Sequence, residues 1–483
     1  VDGGIIRKIK QGKIKGAGAI PSEMITVGLL GNHFTSPHGK GVFVPGRAEE
    51  VLGAMLENGS IQEEHFLAAA KVLQTFAFTD TSYAVTTPYF PALVEREVSA
   101  IPDVGADCKL QSSGCTITST LDPELQEIAE RIVSEHADTI KEKYDANNIA
   151  MIAVDRNTRG IVAYIGNVDF NAEQNGARID MAQAPRQPGS SFKPFVYATA
   201  FEQGYTPRSF VLDGPIVVGG NTPQNYEGGF HGWTSIRLSL SASRNIPAIQ
   251  TFFMVGGEEP VLNEAAKMGI TYPSTVRDER KKTDSYFEFG YPLAIGAAEV
   301  PLMQMVTGYT TLANNGAYQP LTTISTVRDA KNTIVYSFKD RTQPVQVTDP
   351  LIPRLLTSIL SDNYFRPTEY WRKLLTLDGI DSAVKTGTSN QCSAVKPKSG
   401  GCAATLPTDV WTIGYTPEYV VGVWVGNATH KPLQPTADGL NVASPLWKEF
   451  LESAHALHPE LVTQFPADST FDKKATVGFY SPL

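Results

Sequence analysis

Two apolar hairpin patterns that lie far apart in the chain limit its fold more than any other feature. The first runs from Ile149 to Val154, turns through Asp155-Arg156-Asn157-Thr158-Arg159-Gly160 and returns as Ile161 to Ile165. The second is Trp411 to Tyr415, a turn at Thr416-Pro417-Glu418, and Tyr419 to Val425. Runs rich in β-branched and aromatic residues around turn formers read as paired strands. With a long, largely helical middle between them, they predict one antiparallel sheet built from distant pieces and flanked by helices: a mixed α/β domain over residues 116–465. In Leu121-Asp122-Pro123-Glu124, Asp122 can cap a helix whose first position is Pro123. Leu125, Ile128, Ala129, Ile132 and Val133 then form its apolar stripe.

A chain of 483 residues exceeds one ordinary core. Residues 1–45 mix Gly, Lys and short apolar runs and are not expected to form a complete domain. Residues 46–115 read as a linker region. It starts with a helix on which Val51, Leu52, Met55 and Leu56 share a face, stopped at Glu57-Asn58-Gly59, and a second helix begins near Ser60. A connector holding Pro88, Pro91 and Pro102 follows, and residues 466–483 form a tail. A net charge of −9 argues against nucleic acid as the main partner. The basic run Arg7-Lys8-Ile9-Lys10 is the local exception, readable as a solvated or membrane-proximal face. No apolar run of about 18 residues is present. Any targeting or anchoring segment is therefore expected outside the residues shown. The cysteines form two local pairs, Cys108 with Cys115 and Cys392 with Cys402, in Gly/Ser-rich stretches. Two disulfides of an oxidising compartment are expected, with reduced thiols as the alternative; the spacing is too wide for a typical structural zinc site.

The chemistry centres on Gln187-Pro188-Gly189-Ser190-Ser191-Phe192-Lys193-Pro194. Ser190 and Lys193 are one helical turn apart, and a helix starting after Pro188-Gly189 would surround Ser190 with unpaired amides. That environment favours an oxyanion and disfavours an ammonium. Bringing a lysine from about 10.4 to about 7 takes about 4.6 kcal/mol at about 1.36 per unit, whereas a helix end supplies at most about 2. A second cation or strong desolvation is therefore required.

Two companions fit that requirement. Ser243-Arg244-Asn245 offers a hydroxyl to relay a proton and an amide to hold a substrate. Lys385-Thr386-Gly387-Thr388, at the end of a predicted strand, offers the missing cation and a backbone edge open to a peptide. Each motif has rivals in the chain: Ser382-Ala383-Val384-Lys385 and Ser393-Ala394-Val395-Lys396, Ser361-Asp362-Asn363 at a predicted helix end, and Lys398-Ser399-Gly400 between Cys392 and Cys402. Context favours the first set.

Taken in this order, and with Leu312-Ala313-Asn314-Asn315-Gly316, Asp409-Val410-Trp411 and Val421-Gly422-Val423-Trp424-Val425-Gly426-Asn427, the motifs resemble the transpeptidase domain of class A penicillin-binding proteins over roughly Ile117 to Leu451. The resemblance implies a β-lactamase/transpeptidase-like fold, a mostly helical N-terminal part, no cofactor and no metal. It implies a D,D-transpeptidase that cross-links peptidoglycan stem peptides, donor and acceptor, at the extracytoplasmic face of a bacterial membrane, and that is acylated by β-lactams. Ser190 would be the nucleophile, Lys193 the base, Ser243 the proton relay and Asn245 the orienting amide. Lys385, Thr386, Gly387 and Thr388 would hold the substrate carboxylate and backbone, with the amides of Ser190 and Thr388 as oxyanion hole. Val1-Asp2-Gly3-Gly4, Ile5–Gln11 and Pro21–Pro37 resemble fragments of the family's glycosyltransferase domain. Pieces between them, including an expected acidic residue, are missing, so a shortened or joined sequence is expected. A β-lactamase-like hydrolase, a non-catalytic penicillin-binding sensor or scaffold, and a histidine triad through His231 are the alternatives. The Cys392–Cys402 insertion is expected to overhang the cleft.

Overall fold

A computed structural model describes residues 32–35, 41–44, 47–66, 68–69, 88–105, 114–172, 174–395 and 402–466. The basic run, Cys108 and Lys398-Ser399-Gly400 lie outside the described residues. The chain divides into two compact units, Val1–Thr86 and Thr87–Leu483. In the first, strands Asn32–Thr35 and Gly41–Val44 pair antiparallel, and a helix spans Arg47–Glu57. Gly59, at φ +76°, follows that helix, as the Glu57-Asn58-Gly59 stop predicts.

The second unit is built on a five-stranded antiparallel sheet. Its strands are β1 (Asn148–Asp155), β2 (Ile161–Ile165), β3 (Ala383–Val395), β4 (Cys402–Tyr415) and β5 (Tyr419–Gly426), in the spatial order β3-β4-β5-β1-β2. The two predicted hairpins thus meet through β5 and β1, with Val421 opposite Ala153. The period of two sorts β1 cleanly. Ala150, Ile152 and Val154 enter one core, and Ile149, Met151 and Ala153 enter the other. Both faces are covered, which is why these strands read as continuous apolar runs rather than alternating ones.

On one face lie α1 (Pro123–Tyr144) and α6 (Ser444–Leu457), contributing Ala129, Ile132, Leu446, Trp447 and Phe450. On the other lie α2 (Lys193–Glu202), α3 (Asn245–Met254), α4 (Leu302–Ala313) and α5 (Leu351–Leu360), with Phe195, Ile249, Met305 and Leu356 in the core. A small sheet of Thr116–Ser119, Ile324–Arg328 and Ile334–Ser337 forms a third cluster with Val98 and Val104.

The helix Phe90–Ala100, read from sequence as part of a connector because of its prolines, packs inside this unit. Pro91 sits in its first turn, where the missing N–H has no partner to lose. Phe90 and Leu93 enter the main core, and Glu97 accepts hydrogen bonds from Thr323 N at 2.7 Å and Thr323 Oγ1 at 2.6 Å.

Asp122 caps α1 as the sequence predicts, accepting from Glu124 N at 3.0 Å and Leu125 N at 3.1 Å. Asp122→Ala is expected to lower unfolding free energy by about 1 kcal/mol in chemical denaturation. An unchanged value would mean that the cap contributes nothing.

Candidate active site

The segment carrying Ser190 is a 3₁₀ turn, Gly189–Phe192, that leads directly into α2 at Lys193. Ser190 and Lys193 therefore stand one tight turn apart, as predicted. The turn is pinned from several sides. Trp411 Nε1 donates to Gln187 O at 2.8 Å, Tyr309 Oη to Ser191 O at 2.7 Å, and Gly189 N to Gly296 O at 3.1 Å. Strand β3 presses against the turn so closely that side chains are excluded at two points. A Cβ on Gly387 would meet Pro188 O at 2.2 Å, and one on Gly189, at φ +53°, would meet Thr388 O at 2.3 Å.

This packing brings all three motifs to one solvent-open cleft with about 980 Å³ of empty space. Ser190, Ser243, Asn245, Thr386 and Thr388 line it. Lys193 and Lys385 are buried behind them, at 0% and 3% exposure. The amine of Lys193 donates to Ser243 O at 2.7 Å and Asn245 Oδ1 at 2.8 Å, and lies 3.5 Å from Ser243 Oγ. Lys385 Nζ donates to Ser243 Oγ at 2.7 Å and Thr386 O at 2.9 Å. The hydroxyl held between the two amines is thus that of Ser243. Among the described residues the Ser190 hydroxyl has no hydrogen-bond partner and faces the cleft. Ser243 has φ +54°, a conformation non-glycine residues rarely adopt. Thr388 Oγ1 accepts from Gly439 N at 3.1 Å, which fixes its rotamer.

Burial pushes the Lys193 amine well below the ordinary lysine range, and the charges of Lys385 and Arg244 push it further. Burial, with the nearby Arg366 guanidinium, brings Lys385 down to about 7. Of the two effects that could lower Lys193, a second cation or strong desolvation, both act, desolvation the more strongly and the second amine next. Arg244 and Arg366 were not singled out as charges acting on the site. Arg244 could have been suspected, since it stands inside Ser243-Arg244-Asn245; Arg366 carries no comparable signal. Arg244 is itself paired with the fully buried Asp213 at 2.7 Å.

The rival motifs stand elsewhere. Ser361 ends α5, and Asp362 caps the following turn and pairs with Arg237 at 3.2 Å. His231 is exposed, and its backbone N–H donates to Asp213 Oδ2 at 3.0 Å. Neither Cys115 nor Cys392 is a free thiol. Strand β3 continues to Val395 and β4 starts at Cys402, so the described ends of the insertion are strand rather than loop. Residues 396–401 lie outside the described residues.

The unit that carries this cleft is similar to known proteins. Residues 149–452 match the family model of the penicillin-binding protein transpeptidase domain. Penicillin-binding protein 1A of Rickettsia conorii is 29% identical over 343 residues, covering 68% of this chain and 41% of the relative. Penicillin-binding protein 2D of Bacillus subtilis is 27% identical over 391 residues, covering 79% of this chain and 51% of the relative. The chain thus spans about half or less of the length of these two relatives. Among solved structures, the PonA1 protein of Mycobacterium tuberculosis in complex with penicillin V aligns with a TM-score of 0.66 at 25% identity, over 78% of this chain and 96% of that one.

Two stability outcomes follow from the geometry. Gly387→Ala forces strand and turn apart and is expected to lower unfolding free energy by about 1–3 kcal/mol; a neutral substitution would contradict the close approach. Lys385 is lowered in the fold, so above about pH 7 the unfolded state binds the extra proton and stability rises with pH. Compared with Lys385→Met, which lacks the titration, the wild type should gain about 1.4 kcal/mol per pH unit from pH 7 to 9 in paired denaturation curves. A difference that is flat with pH would show that Lys385 keeps its ordinary proton affinity.

Proposed function

This chain belongs to the penicillin-binding protein transpeptidase family, and from that premise we propose that it is a D,D-transpeptidase. It cross-links peptidoglycan stem peptides through an acyl-enzyme on Ser190, and β-lactams acylate it in place of the donor peptide. The observation that carries the reading is the buried pair of amines, Lys193 and Lys385, meeting at Ser243 beside the unpartnered Ser190 hydroxyl.

The steps use this chain's own groups. Lys193, neutral because it is buried beside other cations, takes the Ser190 proton as Ser190 Oγ attacks the carbonyl of the penultimate D-alanine. The oxyanion that forms is held by the amides of Ser190 and Thr388 at the tight contact between turn and strand. As it collapses, the C–N bond breaks, and the proton on Lys193 passes through Ser243 to the departing D-alanine amine. An amine of a neighbouring stem peptide then attacks the ester, gives its proton back along the same route and restores the Ser190 hydroxyl. Asn245 orients Lys193 and the donor amide. Lys385, with Thr386 and Thr388, receives the terminal carboxylate, and the edge of β3 at Gly387 receives the peptide backbone.

We propose residues 116–465 as the body of the catalytic domain, with the Phe90–Ala100 helix of the preceding 46–115 region packed into its core, and residues 1–45 as a glycosyltransferase-domain remnant. We also assign disulfides Cys108–Cys115 and Cys392–Cys402 and an extracytoplasmic location with membrane attachment through a further segment. Among the described residues no helix is long and apolar enough to cross a membrane.

Intact-protein mass spectrometry after exposure to penicillin tests the reading. One adduct on the wild type and none on Ser190→Ala are expected, with the adduct persisting for many minutes and D-alanine released from a donor peptide. Turnover within seconds would instead support a hydrolase, and an adduct without D-alanine release a sensor.

A further inference from the structure

The serine and asparagine of Ser243-Arg244-Asn245 are held by a segment that no motif covers. Asn225 is 5% exposed and its amide makes four hydrogen bonds. Its Nδ2 donates to Asp213 Oδ1 at 2.7 Å and to Gly229 O at 3.0 Å. Its Oδ1 accepts from Asn245 N at 2.8 Å and Ile246 N at 3.1 Å. Those N–H groups open α3, whose own N-cap residue, Arg244, provides no side-chain cap. Asn225 is therefore the cap of α3, supplied from a distant stretch of chain. Every donor and acceptor of its amide is engaged, so the group has one possible orientation.

Its neighbour completes the clamp. Gln224 O accepts from Asn245 Nδ2 at 2.9 Å, which turns Asn245 Oδ1 toward Lys193. Lys193 then faces two acceptor-only oxygens, Ser243 O and Asn245 Oδ1, each able only to receive an N–H. A neutral amine has two N–H groups, both used here. Its lone pair is left pointing away from these carbonyls, toward the hydroxyl side of the site.

We propose that Asn225 is a positioning residue for acylation: by capping α3 and fixing the orientation of Asn245, it aims the lone pair of Lys193. The inference rests on the transpeptidase reading above. Asn225 makes no hydrogen bond to Ser190; it reaches Lys193 through Asn245 N and Ile246 N and through Asp213, the partner of Arg244. The charged groups facing Lys193 are Lys385 from β3 and Arg244, whose charge is met by Asp213. Neither is removed by substituting Asn225.

A fluorescent penicillin, followed by its rate of acylation across pH, tests this. Asn225→Ala is expected to react about 100-fold more slowly at neutral pH, as a small misplacement of a catalytic group does. Water reaching Lys193 also restores solvation of its ammonium, so the acid limb of the rate profile moves to higher pH. Asn225→Ser returns one acceptor oxygen near Asn245 N and should recover part of both effects. Wild-type rates and an unmoved limb in the variants overturn the proposal, and so does a lower rate with an unmoved limb, the signature of a merely structural residue. If circular dichroism shows Asn225→Ala unfolded, the serine variant carries the test with the same outcomes. A wild-type chain that takes no penicillin overturns the transpeptidase reading, and this inference with it.

Discussion

One hydroxyl between two buried amines is the arrangement on which the rest of this unit depends. Removing an ammonium from water is expensive, and two such groups near each other compound the problem. Burial and the neighbouring cations lower the proton affinity of both amines. Lys193, fully buried beside Lys385 and Arg244, gives its N–H groups to two carbonyl oxygens, while Lys385 donates to Ser243 Oγ and Thr386 O. Because Ser243 Oγ accepts from Lys385, its own hydrogen is available to the amine 3.5 Å away. In the proposed mechanism a proton moves between Lys193 and Ser243 without either lysine leaving its place. A left-handed backbone at Ser243 is the conformational strain that accompanies this placement.

Holding such an arrangement requires elements from both ends of the domain. Lys193 comes from the first turn of α2, Lys385 from β3 at the sheet edge, and Ser243 from the turn before α3. The contact between turn and strand permits no side chain at Gly189 or Gly387, so relative position is set by backbone against backbone. Backbone contacts have fewer soft degrees of freedom than side-chain contacts, which suits a site where small displacements matter. Trp411 and Tyr309 then tie the turn to the sheet and to α4 through single hydrogen bonds to Gln187 O and Ser191 O.

Much of this was legible in the sequence, for identifiable reasons. The strands announce themselves because both faces are covered, α1 because its cap and stripe coincide, and the three motifs because their spacing matches a turn, a helix start and a strand. The Phe90–Ala100 helix is hidden in the sequence because prolines in a helix's first turn look like breakers. The clamp on Asn245 is not legible in the sequence because residues 213–232 are rich in Gly and polar residues and carry no periodicity. Its meaning lies in pairings such as Asp213 with Arg244 that only tertiary structure creates. Arithmetic requires a second cation or strong desolvation at Lys193; that desolvation is the larger of the two is visible only in the fold.

The rival motifs show why spacing alone is insufficient. Ser382 and Lys385 have the same separation as Ser190 and Lys193, yet Lys385 lies on a strand with Ser382 just before it. Along extended backbone, residues three apart point to opposite faces, whereas in a helical turn they share one. Ser361-Asp362-Asn363 fails for another reason: its polar groups are already engaged. Ser361 Oγ donates back to Thr357 O at 2.8 Å, and Asp362 Oδ1 accepts from Tyr364 N at 3.0 Å. A motif becomes a site only where the backbone period puts its groups together and the surrounding packing leaves them facing one another.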